Sequence, residues 1–324
     1  MNGRERRQLG RTSLHVSRLG IGGGSLANAP GEDAVRRLLD GCWDLGLRYF
    51  DTAAFYVAGE SERRFGAALR QRPRDDYVLS TKLGRFFRNG QVVYDYTEAG
   101  AEESLGRSLD RLGLDRVDIV YIHDATPALH GFDFERQFQT AMDGAYPYLE
   151  RLRTEGVVAA IGIGMSDADT ALRFAKAGNF DCFMLAGAYT LLRQASLDTL
   201  LRHCGTTGSS VIVAAPFNTG ILATGAVEGA RLDYKPAPAE ALAHVARIEA
   251  ICRTHGVRLP AAALQFPLAH PVVAGIVAGH QSVAEVTQNL ELLAERIPAA
   301  FWRDMVAAGL LPEHAPLPDA GAAS

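Results

Sequence analysis

Asp51, Tyr56, Lys82 and His123 are residues whose types and spacing suit acid–base chemistry. Each stands at or just past the end of a short apolar run: Leu47 to Phe50, Tyr77 to Thr81, and Val117 to Ile122. Such runs read as β-strands. A free phenol ionises near pH ~10, too high for a good base at neutral pH. An ammonium placed beside it favours phenolate and lowers that pKa, while a carboxylate keeps the ammonium charged. An imidazole can hold the reacting oxygen in line. The set suggests proton transfer to or from an oxygen, half of what hydride transfer requires.

Taken singly, each residue has a plainer role. A strand-end Asp is often a helix cap, a Tyr in a strand–helix loop often packs, and a lone His is commonly structural. Lys82 resists this reading, because a lysine at the end of an apolar strand is costly to bury without a partner. Asp51 is the natural partner.

For positions 72 residues apart to meet, the elements between them must lie side by side. After a small N-terminal hairpin (Arg7 to Leu9, Leu14 to Val16), Arg18 to Gly22 reads as strand one and Glu32 to Leu45 as an amphipathic helix. Strand two ends at Asp51, strand three near Lys82 and strand four near His123. Val157 to Ile163, Cys182 to Leu185, Val211 to Ala214 and Val273 to Val277 continue the series. Helices are expected at 60–69, 97–112, 141–154, 167–177, 197–204, 239–254 and 283–293. Gly113 closes the second of these. Eight strand–helix units of short, nearly all-apolar strands predict an α/β fold, a closed (β/α)8 TIM barrel. Irregular loops are expected at 84–96, 124–140 and 216–238, on the face that carries active sites in such barrels. The pattern predicts one domain over 1–311 and a flexible Pro- and Ala-rich tail over 312–324.

Composition narrows the partners. The 324 residues are 48% hydrophobic and 22% charged, enough apolar surface for a large core. A net charge of −4 without basic clusters argues against nucleic acid and anionic membranes. Met1 to Gly10 does not read as a secretory signal, and no window approaches the ~20 apolar residues of a membrane span. Cys42, Cys182, Cys204 and Cys252 lie far apart without CxxC pairing, which predicts reduced thiols in the cytoplasm. The nine histidines show no HExxH spacing, so no metal is assigned.

Two glycine-bearing segments look suited to a ligand. Gly20 to Ser25 superficially resembles a dinucleotide fingerprint, but its last position is Ser25 and no acidic strand end follows ~20 residues later. As a strand-end loop, Gly22 and Gly23 allow backbone to approach a flat ring closely. Gly279 to Ser282 precedes the helix from Val283, whose exposed amides suit phosphate or ribose; the plain alternative is an ordinary Ser cap.

At these residues the chain resembles the aldo-keto reductase superfamily. Asp51-Thr52-Ala53-Ala54-Phe55-Tyr56 through Gly59-Glu60-Ser61-Glu62 is similar to that family's DTA-x-x-Y-x-x-G-x-S-E block, and Lys82 and His123 complete its tetrad. Gly144 to Pro147, Asp181 to Gly187, Phe217 to Leu222 and Ala261 to Pro267 resemble the D-threo-aldose 1-dehydrogenase and L-fucose dehydrogenase branch, with pyridoxal 4-dehydrogenases and plant L-galactose dehydrogenases as relatives. The resemblance implies the barrel fold and oxidation of a sugar hemiacetal at C1 to a lactone, with Tyr56 as base and nicotinamide as hydride acceptor. It implies that Ser166 touches the carboxamide, that Phe217, Asn218, Gly220 and Leu222 follow the pyrophosphate, and that Gln281, Ser282, Glu285 and Asn289 meet the adenosine. Two family positions depart: Ala186 stands where many members have Gln, and Ala214 where a ring-stacking Tyr is usual. Gln281 and Glu285 occupy places where NADP-preferring members carry Lys or Arg. A carboxylate repels a 2′-phosphate but accepts a bond from a free ribose hydroxyl, which predicts NAD over NADP.

Phe55, Phe86 and Asp124 are expected to line the substrate pocket, where Phe87, Phe132 and Phe134 also lie near the predicted mouth. Aromatic rings there suit a sugar's apolar face or pyridoxal, whose hemiacetal oxidation uses the same tetrad. From another class, relatives of potassium-channel β-subunits bind cofactor as regulatory subunits with little turnover.

Overall fold

The computed structural model describes residues 1–28 and 31–318. Eight parallel strands close a barrel in chain order: β1 (Leu19–Gly22), β2 (Tyr49–Asp51), β3 (Val78–Leu83), β4 (Ile119–His123), β5 (Ala160–Met165), β6 (Cys182–Ala186), β7 (Ser210–Ala214) and β8 (Val273–Gly279). β8 pairs with β1, Ile276 opposite Leu19, so no edge is left open. Ten helices of eight residues or more surround the strands among the described residues: α1 (Glu32–Asp44), α2 (Glu60–Leu69), α3 (Glu98–Leu112), α4 (Tyr146–Thr154), α5 (Ala168–Ala177), α6 (Leu200–Thr207), α7 (Ala239–His255), α8 (Leu259–Leu268), α9 (Val283–Ala294) and α10 (Ala299–Ala307).

Two apolar layers follow from strand alternation. Outward residues such as Phe50, Leu79, Val120 and Ile161 form one continuous core with the helices. Inward residues, among them Tyr49, Val78, Ile119, Tyr121, Ala160 and Ile212, fill the barrel. Room for those tyrosines comes from neighbouring glycines: a Cβ at Gly162 would stand 2.7 Å from the Tyr121 ring. The N-terminal hairpin, Arg6–Gln8 against His15–Ser17, pushes Leu9 and Val16 into this inner layer and plugs the end opposite the chemistry. The Gly10 amide ties it to β7 by donating to Ser210 Oγ at 2.6 Å.

The helices are bounded by local chemistry. Thr97 caps α3 by accepting from the Gly100 amide, and Gly113 ends it at φ +61°. Asp167 caps α5 through the Asp169 and Thr170 amides. The structure adds elements to the expected pattern. α8 is buried along its whole length and packs on β8, with α7 and α10 outside it. Its uniformly apolar sequence lacks the one-sided period that marks a surface helix. The loop after β3 is an ordered hairpin, Arg85–Arg88 against Gln91–Tyr94. The loop after β4 contains short helices at Pro127–His130 and Phe134–Thr140. The tail expected from 312 packs further than that: Ala315 is buried and Leu317 lies against the core. Residues 319–324 lie outside the described residues. No described helix is long and apolar enough to cross a membrane.

Candidate active site

Register brings the four opening residues together. Asp51 pairs with Ser80 across β2 and β3, Lys82 with Tyr121 across β3 and β4, and His123 with Gly164 across β4 and β5. Period-two alternation then turns Asp51, Lys82 and His123 inward at the C-terminal mouth, above Tyr49, Ser80 and Tyr121. Lys82 Nζ donates to Asp51 Oδ2 at 2.6 Å and to the Thr52 carbonyl at 2.9 Å. Ser80 Oγ donates to Asp51 Oδ1 at 2.7 Å. Tyr56 comes from the loop after β2, where Val57 and Ala58 adopt left-handed backbone (φ +52° and +54°). That turn sets its ring 4.8 Å, centroid to atom, from Lys82 Nζ. His123 stands edge-on to the same ring at 5.8 Å and 86°.

Electrostatics separates the roles. Burial alone would drive the proton off Lys82, but Asp51 and Tyr56 reverse this and raise its pKa. Burial raises the Asp51 carboxyl, opposed by Lys82. Tyr56 is also raised, because burial outweighs the pull of Lys82. This corrects the expectation of a lowered phenol: Lys82 limits a rise that burial imposes. Burial lowers His123 to about 3, so its imidazole is neutral at any working pH. Its Nδ1 is buried without a partner, while Nε2 lies 3.5 Å from Asp124 Oδ2. Tyr96 fixes the strand end by donating to the His123 carbonyl at 2.8 Å.

The wall beside this set was only partly anticipated. Phe55 stacks on Phe87 at 5.6 Å and 16°, and the Arg85 guanidinium lies 3.6 Å from the centroid of the same Phe55 ring. Arg85 Nη1 donates to Asp124 Oδ2 at 2.5 Å. Asp124 therefore faces the mouth, half-buried. Phe86 does not: it is buried in the fold, because residue 86 alternates to the opposite face of the hairpin from 85 and 87. Phe134 is likewise buried, against Phe138, and Phe132 is fully exposed. Arg85 was missed and the hairpin was read as an irregular loop, although Asn89-Gly90 between alternating residues is a strong hairpin signal. Both residues have positive φ, +52° and +77°, as that turn requires.

The residues expected at a cofactor divide in the same way. Gly22 pairs with Asp51, and Gly23 packs so closely that a Cβ would meet Ser61 Oγ at 2.3 Å. Gly24 faces Tyr56, where a Cβ would lie 3.7 Å from its Cζ. Ser166 is exposed just past β5, and Phe217 and Gly220 are half-buried past β7. Asn218 donates to the Gly187 carbonyl at 3.1 Å, and its Oδ1 is buried without a partner. Leu222 is fully buried in the core, so it cannot line a ligand channel in this conformation: it lies in the short helix Ile221–Thr224, where it and Ile221 turn inward. At the start of α9, Ser282 Oγ accepts from the Glu285 amide at 3.2 Å, and the Glu285 carboxylate accepts from the Gln281 amide at 2.9 Å. These two bonds are reciprocal helix capping. Gln281, Ser282 and Glu285 are exposed, whereas Asn289 is buried and donates its amide to His280 Nε2 at 2.9 Å. Ala186 and Ala214, small and half-buried, stand opposite each other at the ends of β6 and β7. Small residues on one side and the unpartnered Asn218 oxygen fit a dinucleotide cofactor. Among the described residues no three His, Cys, Asp or Glu side chains gather as metal ligands.

Residues 18–309 match the model of the aldo/keto reductase family. The chain is 39% identical to D-threo-aldose 1-dehydrogenase of Pseudomonas sp, covering 92% of this chain and 96% of that one. It is 34% identical to pyridoxal 4-dehydrogenase of Microbacterium luteolum, over 95% and 98% of the two chains. With L-galactose dehydrogenase of Arabidopsis thaliana it shares 31% identity over 90% and 88%. Among solved structures, the holo form of an aldo-keto reductase from Bacillus halodurans superposes with a TM-score of 0.79 at 29% identity, covering 96% of this chain and 99% of that one. With the barrel and the converging Asp, Tyr, Lys and His already established, these likenesses show that the chain belongs to the aldo/keto reductase family, as an oxidoreductase.

Proposed function

We propose that this chain oxidises a cyclic aldose of the L-fucose, D-arabinose or L-galactose type at C1 to its lactone, with NAD as cofactor. The observation that carries the reading is the Tyr56 ring set between charged Lys82 and neutral His123 in a mouth that also presents Arg85 and Asp124. Tyr56 is the base that takes the anomeric hydroxyl proton. Lys82, anchored on Asp51 and the Thr52 carbonyl, stabilises the phenolate that acts as this base. The neutral imidazole of His123 donates to the reacting oxygen and holds it in line. The dinucleotide, when bound, supplies the hydride acceptor. Gly22, Gly23, Ser166, Phe217, Asn218 and Gly220 would hold it near the chemistry, and Gln281, Ser282 and Glu285 at its adenosine end. Glu285 supports NAD over NADP, since its carboxylate opposes a 2′-phosphate. The four buried, unpaired thiols suit a reducing compartment such as the cytoplasm.

The Phe55–Phe87 stack favours a second reading, pyridoxal oxidation at its cyclic hemiacetal. One panel separates them. Purified protein is given NAD or NADP with L-fucose, D-arabinose, L-galactose, D-glucose or pyridoxal, and the reduced-nicotinamide absorbance is followed. We expect an aldose with NAD to give the highest kcat/KM, and Tyr56→Phe to lower it by about 10²- to 10⁴-fold. Exclusive turnover of pyridoxal, a preference for NADP, or full activity in Tyr56→Phe would each overturn the corresponding part.

A further inference from the structure

Resting on the aldose reading, we infer that Asp124, held by Arg85, is the residue that selects the substrate by accepting the hydroxyl on C2. Asp124 lies beside His123 at φ +52°, a left-handed conformation that turns its carboxylate back over the imidazole. The backbone is held there by its amide, which donates to the Gly164 carbonyl at 3.0 Å. Oδ2 takes the Arg85 guanidinium at 2.5 Å and lies 3.5 Å from His123 Nε2. No described side chain or amide donates to Oδ1.

Arg85 is itself fixed. Its guanidinium lies on Phe55, 3.6 Å from the ring centroid, and its Nε is buried without a partner. The pair is half-buried, with side-chain exposures of 17% and 20%. It is therefore both preorganised and within reach of a ligand.

The chemistry of a cyclic aldose then fixes which group Asp124 can meet. The C1 oxygen held by Tyr56 and His123 has two neighbours, the ring oxygen and the C2 substituent. A carboxylate needs a donor, and the ring oxygen has no proton to give. Only the C2 hydroxyl satisfies Oδ1, while the ring oxygen is suited to a guanidinium donor. The carbon next to the reacting centre of the pyridoxal hemiacetal carries no hydroxyl; its phenolic hydroxyl stands one carbon further away. Arg85 would thus discriminate through Asp124, as a positioning residue.

The test compares the best aldose of the panel with its 2-deoxy counterpart, using wild type, Asp124→Asn and Arg85→Lys with NAD. Asn tolerates the left-handed backbone, so the first variant changes charge with little change of shape. A C2 hydroxyl withdraws electrons and disfavours hydride departure, so any preference for the hydroxylated sugar must come from its contacts. Wild type is expected to favour the hydroxylated sugar by about 10- to 100-fold in kcat/KM. Asp124→Asn and Arg85→Lys should erase most of that ratio, lowering kcat/KM for the hydroxylated sugar more than for its 2-deoxy counterpart. Equal losses on both sugars would show that Asp124 acts only through His123, and the inference falls while the aldose reading stands. A wild-type ratio near one also overturns it, whether or not the variants fold. If wild type oxidises no aldose, the aldose reading itself fails and takes this one with it.

Discussion

At the scale of the residue, the site is a buried charge pair with a phenol laid against it. Lys82 and Asp51 are both nearly inaccessible, so each is tolerable only because of the other. Lys82→Met leaves a carboxylate with Ser80 as its remaining side-chain partner. Denaturant unfolding should register a loss of about 3–5 kcal/mol, smaller to the extent that Asp51 takes up a proton. Activity should fall as well, because the phenolate of Tyr56 loses its counter-charge. The raised phenol has a kinetic consequence. Oxidation needs Tyr56 deprotonated, and burial holds it protonated beyond its ordinary range. Oxidative kcat/KM should therefore climb with pH toward pH ~10 without a descending limb from His123, which is neutral above about 3. A pH–rate profile that falls above neutrality in a protein that remains folded would contradict this assignment.

At the scale of the element, alternation decides which aromatic residue meets the substrate. The hairpin after β3 presents Arg85 and Phe87 on one face and Phe86 on the other. Phe86→Ala should cost about 3–5 kcal/mol of stability, as truncation of a buried ring does. Phe87→Ala should leave the melting temperature within a few degrees while raising KM for the substrate. Thermal melts and initial rates on the two variants read these outcomes separately, and exchanged phenotypes would mean the hairpin register is wrong. Strand ends carried most of the site's legibility: Asp51, Lys82 and His123 fall at predicted termini and the structure brings them together. Phe86 and Leu222 were misplaced for a common reason. A residue named by its loop says nothing of the face it occupies: one step along a strand exchanges core for mouth for Phe86, and Leu222 lies on the inward face of a short helix.

At the scale of the whole molecule, the barrel buries imidazoles in their neutral form. Burial lowers His123 to about 3, and His270 and His280 each to about 4. In the unfolded chain they titrate near pH ~6.5. Between those values the unfolded state binds more protons, so stability rises with pH and is lost as pH falls from ~6.5 toward 4. Asp51, raised by burial, works in the opposite sense over its own window. Melting temperatures across pH 4 to 8 should decline most steeply on the acid side of 6.5, and His270→Phe or His280→Leu should lessen the decline. A flat profile would mean that these imidazoles gain their charge without unfolding.

Read alone, the amino-acid order determined the repeating strand–helix pattern, the reacting residue types and their places at strand ends. Those are local properties: apolar period, turn chemistry, and a charge that cannot be buried alone. Tertiary structure decided what depends on neighbours distant along the chain. It set Tyr56 against Lys82 and His123 through register and a left-handed turn. It reversed the expected direction of the phenol's pKa, because burial is a property of the closed barrel. It also placed Arg85 on Phe55 and against Asp124, 39 residues further along the chain, where the pairing of β2, β3 and β4 turns three separate loops into one wall of the mouth.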